Sequence, residues 1–312
     1  MTDILTITPN PAVDLSTSVE KIIPTQKLRG TSQRRDPGGG GINVARVIKR
    51  LGGEARAIYP VGGAMGEMLR ELLDREGILS QTFAIADETR EDFFVSEVDT
   101  GQQYRFILPG PRLIETEWQE CLKLICSIEP FPRFVVASGS LPAGVPDDFY
   151  ARIARIAKQR GARMILDTSG KALAIAVAEG VDLIKPNLRE MRELSGSEPA
   201  DAGEWEEAAR AVVGNKRVAI VALTMGHLGA ALITSDRILR AKPLAVTPLS
   251  AVGAGDSFLA ALVWRLAAGA DLTDCFRQAV AAGAAALLNP GTELCRPHDV
   301  ERLAAEAIIE AA

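Results

Sequence analysis

"RFVVASGSLPAGVPDDFYARIARIAKQRGARMILD", residues Arg133 to Asp167, decides the fold. Its two ends, Arg133 to Ser138 and Arg163 to Asp167, are short runs rich in apolar residues, the composition of strands buried on both faces. Between them, Pro146 to Gly161 sets its apolar residues at three- and four-residue intervals and stops at glycine, as an amphipathic helix does. The same alternation runs outward in both directions. Ile4 to Thr8, Ala55 to Gly62, Val181 to Asn187 and Arg217 to Thr224 read as further strands. Asn43 to Gly53, Met65 to Gly77 and Glu204 to Gly214 read as helices, and three more close the chain at 255–269, 273–288 and 298–311. Strands alternating with helices of this length predict an α/β fold: a Rossmann-like, mostly parallel sheet covered by helices on both faces, in one domain across residues 1–312.

Two stretches break the rhythm. Ser16 to Asp36 and Thr89 to Gly110 alternate polar and apolar residues like strands and turns, with "VDTGQQ" (Val98 to Gln103) as a hairpin connection. They predict a small β-sheet within about 16–36 and 89–110 that stands off the core, either as a lid over a site or as a surface insertion. Its open edge would suit a second subunit.

Bulk composition removes several classes of function. With 47% hydrophobic residues, 24% charged and a net charge of −5, the chain is an ordinary globular protein with no global attraction for nucleic acid or an anionic membrane. An anionic ligand would need a local basic cluster. Cys121, Cys126, Cys275 and Cys295 form no CxxC pair, and His227 and His298 are the only histidines, so the thiols are expected to be buried and reduced. The start of the chain lacks a basic region followed by an apolar core, and no apolar run approaches the ~18 residues of a membrane span, so the expected location is cytoplasmic.

The glycines suggest where chemistry sits. Gly38 to Gly41 directly precede the helix at Asn43, where bare backbone and a helix N-terminus suit an anionic or polyhydroxylated ligand, or simply a flexible turn. The run matches neither GxxxxGK[ST] nor GxGxxG, so a dinucleotide oxidoreductase lacks its fingerprint. "VGGAMGEML" (Val61 to Leu69) is a structural turn. At Gly253, Ala254 and Gly255, free N–H groups at a helix mouth can form a nest for a phosphoryl group. Asp256 beside it can take a proton from an attacking hydroxyl, or merely cap the helix.

"TPNPAVD" (Thr8 to Asp14), "PGGGGINVAR" (Pro37 to Arg46), "SGSLP" (Ser138 to Pro142), "KPNLRE" (Lys185 to Glu190) and "VGAGDSF" (Val252 to Phe258), in this order, resemble the ribokinase-like PfkB family of carbohydrate kinases. The resemblance covers essentially the whole chain. Within the family, "GQQYRFILPGP" (Gly101 to Pro111) is most similar to the minor-isozyme type of 6-phosphofructokinase, with tagatose-6-phosphate kinase and 1-phosphofructokinase as neighbouring types. It implies transfer of phosphate from ATP, with Mg2+, to a sugar phosphate. Asp256 would be the base and Gly253, Ala254 and Gly255 the anion hole. Asp14, Gly39, Gly40, Gly41, Asn43 and Ser140 would hold the sugar, and Lys27, Arg29, Arg90 and Arg105 its existing phosphate. Those four cations supply the local basic cluster, whereas without the family they read as a solvated face.

The resemblance further implies that Lys185 and Asn187 lie near the triphosphate and that Glu190 orders Mg2+ through water. By spacing alone, Asn187 and Glu190 equally form a capping box. Thr224, Gly226 and Gly229 would form the nucleotide-side loop, while Ser250, Val252, Ala286, Asn289, Gly291 and Glu293 would surround a monovalent cation such as K+. Relatives of this type pair their lids, which implies a homodimer. Asp92 departs from the pattern, placing a carboxylate where a neutral amide is expected. A non-catalytic sugar-phosphate sensor on the same fold is the rival reading, and joint retention of base, anion hole and magnesium motif argues against it.

Overall fold

The computed structural model describes residues 3–215 and 217–311. Its strands are β1 (Ile4–Ile7), β2 (Ala12–Val19), β3 (Arg34–Gly38), β4 (Arg56–Val61), β5 (Leu79–Ala84), β6 (Arg90–Glu97), β7 (Gln103–Phe106), β8 (Phe134–Ser138), β9 (Arg163–Asp167), β10 (Val181–Ile184), β11 (Val218–Thr224), β12 (Ala230–Ile233), β13 (Ile238–Ala241) and β14 (Ile309–Ala311). The helices are α1 (Gly40–Arg50), α2 (Gly63–Arg75), α3 (Glu115–Ser127), α4 (Phe149–Gln159), α5 (Gly170–Glu179), α6 (Leu188–Ser195), α7 (Ala202–Gly214), α8 (Ala254–Ala267), α9 (Leu272–Leu287) and α10 (Pro297–Glu306).

β8, α4 and β9 form the expected strand–helix–strand unit, with β8 and β9 parallel and Val136 opposite Ile165. Successive strand residues face opposite sides of the sheet. Val135 and Ala137 therefore join Trp118, Phe149, Ile153 and Trp205 under α3 to α7, while Phe134 and Val136 join Val44, Leu69, Phe258 and Phe276 under α1, α2 and α8 to α10. Each fully buried large side chain contributes about 1.5–3 kcal/mol, so both helix layers are held by apolar burial. The main sheet runs β14-β13-β12-β11-β10-β9-β8-β1-β4-β5, parallel from β5 to β11 and antiparallel from there to β14.

The C-terminus is not helical to its end. The expected helix over 298–311 ends at Glu306, Ala307 turns extended, and Ile309 to Ala311 add a strand to β13. The β-branched pair Ile308 and Ile309 suits a pleated edge better than a helix. The expected strand to Asn187 stops at Ile184, two residues before Pro186, which has no N–H to donate. Cys121, Cys275 and Cys295 are buried, but Cys126 is exposed on the outer side of α3. No helix among the described residues is long and apolar enough to cross a membrane.

A second sheet, β3-β2-β6-β7, is mixed: β2 pairs antiparallel with β3 and parallel with β6, and β6 and β7 form a hairpin turning at Gly101, whose φ is +69°. β3 runs straight into α1, which fixes this sheet over the carboxyl end of the main one. Side chains tie it to two loops beside α8. Gln103 Nε2 donates to the Leu249 carbonyl at 2.9 Å, and Thr292 Oγ1 donates to Asp36 at 2.7 Å.

Candidate active site

Ligand sites in open α/β sheets lie beyond the carboxyl ends of the strands. There, a cleft of about 360 Å³ is lined by Asp14, Gly39, Gly40, Asn43, Arg90, Arg105, Ser140, Glu190, Val252, Gly253 and Asp256. A second cleft of about 360 Å³ is lined by Asn187, Thr224, Gly226, Gly229, Ala254 and Gly255 on one side and by apolar Leu244, Phe258, Val280, Ala284 and Leu287 on the other. The first turn of α8 is the wall between them: Gly253 and Asp256 face one cleft, Ala254 and Gly255 the other.

That turn is built for an anion. Gly253 precedes α8 with φ +72°, a left-handed conformation that glycine adopts freely, and a Cβ there would strike Leu294. Among the described residues no side chain caps the helix, so its first N–H groups are left for a ligand. Asp256 does not cap either. Its carboxylate accepts from Asn43 Nδ2 at 2.8 Å, Asn43 Oδ1 accepts from Arg46 at 3.2 Å, and the buried Arg46 pairs with Glu76 at 2.7 Å. This chain fixes the carboxylate's orientation. Burial, reinforced by the Asp167 carboxylate, pushes Asp256 up to about 6, against the pull of Asn43, Lys185 and Arg105. A carboxylate so placed is mostly ionised at neutral pH yet a better proton acceptor than an exposed one.

Lys185 is buried and pairs with Asp167 at 3.1 Å. Burial works against its charge, but the Asp167, Glu190 and Asp256 carboxylates outweigh that and hold the ammonium above the ordinary lysine value. A Cβ on Gly255 would lie 3.2 Å from Lys185 Nζ, so glycine leaves the ammonium room at the helix mouth. Asp167 carries no signal in the sequence. A lone acid ending a strand has no local signature, and only its place at the carboxyl end of β9 could have pointed to it. Asn187 and Glu190 form the reciprocal cap of α6, at 2.9 and 3.0 Å. The cap uses one oxygen of Glu190, whose side chain also lines the first cleft, and burial raises its carboxyl above the ordinary range.

Arg90 and Arg105 reach the first cleft; Lys27 and Arg29 do not. Both lie exposed in the irregular stretch between β2 and β3 and, within one chain, line neither cleft. Arg90 lies 3.3 Å from the Leu108 and Asn10 carbonyls and 3.6 Å from Asp92, and its buried Nε has no partner among the described residues. Its donors suit an incoming oxyanion. Arg105 lies 5.3 Å over the Phe94 ring. Gly41 also stays outside the cleft: a Cβ there would come within 2.7 Å of the Ile7 carbonyl, so it serves the packing of α1 on β1.

The 250–252 and 286–293 segments meet behind α8, where Ser250 Oγ donates to the Gly291 carbonyl at 2.7 Å and the Asn289 N–H to the Ala286 carbonyl at 3.2 Å. Asn289 Nδ2 is turned to the Ala285 and Leu294 carbonyls, and the Glu293 carboxylate to Arg34 and Arg296 at 3.1 and 2.9 Å. The Glu293 carboxylate is thus committed to two guanidiniums, and the oxygens that fit a cation are backbone carbonyls, the Ser250 hydroxyl and the Asn289 amide oxygen, which accepts no hydrogen bond among the described residues.

A family model described as pfkB family carbohydrate kinase matches residues 6–299. The chain is 44% identical over 306 residues to the ATP-dependent 6-phosphofructokinase isozyme 2 of Mycobacterium tuberculosis, covering 97% of this chain and 90% of the relative. Phosphofructokinase-2 from Escherichia coli in complex with potassium has a TM-score of 0.93 at 39% identity, over 98% of this chain and 99% of that one. The same enzyme in complex with fructose-6-phosphate has a TM-score of 0.92 at 38% identity, over the same shares. With a helix mouth between two clefts and a match along nearly its whole length, this chain belongs to the PfkB family of carbohydrate kinases.

Proposed function

We propose that the chain is an ATP-dependent 6-phosphofructokinase that converts fructose 6-phosphate and ATP to fructose 1,6-bisphosphate and ADP. The observation that carries this reading is the α8 turn between the clefts, which presents the base Asp256 to one cleft and the backbone of Ala254 and Gly255 to the other. Its relatives include an ATP-dependent 6-phosphofructokinase and a structure holding fructose-6-phosphate. Asp14, Asn43 and Ser140 orient the sugar hydroxyls, and Arg90 and Arg105 take the 6-phosphate. Asp256 accepts the proton of the 1-hydroxyl as its oxygen attacks the γ-phosphorus in line. The N–H groups at Gly253 to Gly255 and the Lys185 ammonium receive the charge on the transferring group.

The second cleft, apolar opposite open glycine backbone, fits a planar base with its phosphates toward Ala254 and Gly255. The unpaired Glu190 oxygen and the nearby Asp167 carboxylate fit a hydrated Mg2+, which when bound would neutralise phosphate charge. Carbonyls of the 250–252 and 286–291 segments would hold K+. A coupled assay over fructose 6-phosphate, tagatose 6-phosphate and fructose 1-phosphate tests the acceptor; preference for either of the last two would overturn the assignment.

Arg90→Ala is expected to weaken fructose 6-phosphate about 10- to 100-fold, the worth of a charge-assisted contact, and barely to affect plain fructose. Equal losses for both sugars would show that Arg90 supports the fold instead. The lid is also the proposed dimer surface: Ile23, Leu28, Phe106, Ile107 and Leu108 are exposed together with Lys27 and Arg29 on that side of the chain. Light scattering is expected to give the mass of two chains, and a monomer at working concentration would refute the pairing.

A further inference from the structure

Asp36, Asp14 and Asp92 form a row across the second sheet, in direct register on β3, β2 and β6. Register partners on neighbouring strands present their side chains to the same face. All three are buried. Asp36 is fully engaged, with Arg34 at 2.8 Å and Thr292 at 2.7 Å. Asp92 accepts the Leu108 N–H at 2.9 Å and lies 3.6 Å from Arg90. Asp14 accepts no hydrogen bond from a side chain among the described residues, and both it and Asp92 line the acceptor cleft. The charged groups facing Asp14 are Asp92 and Arg90 on β6, Asp36 on β3 and Arg46 on α1; those facing Asp92 are Arg90 and, on β7, Arg105.

We propose that Asp92 is a positioning residue for the acceptor sugar: it fixes Arg90 and the Leu108 segment at the cleft mouth and, beside Asp14, makes acceptor binding depend on the charge of that pair. The inference rests on the sugar-phosphate reading of the cleft. Two buried carboxylates side by side resist losing both protons. Burial first, and then the Asp92 charge, pushes Asp14 up to about 7, while burial raises Asp92 against Arg90, the Leu108 N–H and Arg105. A sugar hydroxyl donates a strong, charge-assisted hydrogen bond to the ionised Asp14 carboxylate and a weaker one to the neutral carboxyl. Acceptor affinity therefore falls as the pH drops below about 7.

The test is Asp92→Asn, which keeps an oxygen for the Leu108 N–H and removes the charge. In KM for fructose 6-phosphate between pH 5.5 and 8.5, the acid-side loss of affinity is expected to move down by about one pH unit relative to the wild type. The titration of the substrate's own phosphate is the same for both proteins and cancels. The change should fall on KM more than on kcat. Asp92→Ala, which also frees Leu108, should raise KM about tenfold at pH 8, where Asp14 is ionised in both proteins, and the asparagine should restore most of that loss. An acid limb that does not move, or asparagine and alanine variants that behave alike, would overturn the proposal. Carboxyl-carbon NMR of the protein without substrate reads the Asp14 titration directly, expected near pH 7 and lower in Asp92→Asn. A wild type inactive on fructose 6-phosphate would sink the functional reading. An Asp14 midpoint indifferent to residue 92 would sink the pairing.

Discussion

Asp256→Asn is expected to lower kcat by about 10²- to 10⁴-fold or more while both substrates still bind. The substitution keeps the side chain's size and an oxygen to accept from Asn43 Nδ2, whose partner is now at 2.8 Å. It removes only the group that can take a proton. The Gly253 to Gly255 N–H groups and Lys185 remain, so positioning and electrostatic stabilisation account for whatever rate survives. In the wild type the base must be ionised, and burial with the neighbouring Asp167 charge sets it at about 6, so kcat is expected to fall as the pH drops through 6. The variant should lose that limb as well as the rate. Measured by coupled assay with substrate affinities in parallel, retention of more than a tenth of wild-type kcat would remove Asp256 from its role.

The parts of this architecture that were readable in the sequence are those that short-range physics writes locally. An apolar strand, an amphipathic helix and a second strand predicted the β8–α4–β9 unit, because periodicity decides which face is buried. The helix mouth at Gly253 to Asp256 was readable because small residues before an apolar helix leave few other structural roles. Periodicity did not mark α5, "GKALAIAVAE", since a helix with apolar residues nearly all round has no polar stripe. Nor could it find β14, whose partner β13 lies some 70 residues earlier and exists only once the chain has folded. Asp167, the Arg46–Glu76 support behind Asn43 and the row through Asp14 share that cause: each depends on pairings between distant segments.

Asp14→Asn is expected to make the protein more stable and a worse binder of its acceptor. Burial, with Asp92 and Asp36 beside it, raises the Asp14 carboxyl from 3.8 to about 7, overcoming Arg46 and Arg90. A carboxyl that is harder to ionise when folded costs stability once the pH exceeds its unfolded value. That cost is absent below about pH 4, grows between 4 and 7, and is complete above 7. Three pH units correspond to about 4 kcal/mol, of which a neutral amide of the same shape should recover about 2 to 4. Urea unfolding should therefore show the variant ahead of the wild type at pH 8 and level with it near pH 4. The same carboxylate is the proposed acceptor of sugar hydroxyl protons, so affinity for fructose 6-phosphate should drop by about one to two decades at pH 8. Opposite signs in the two measurements would mark Asp14 as a residue whose burial costs folding energy and serves binding. A variant no more stable than the wild type at pH 8 would mean that the carboxyl is not raised, and the charge pairing with Asp92 would fall with it.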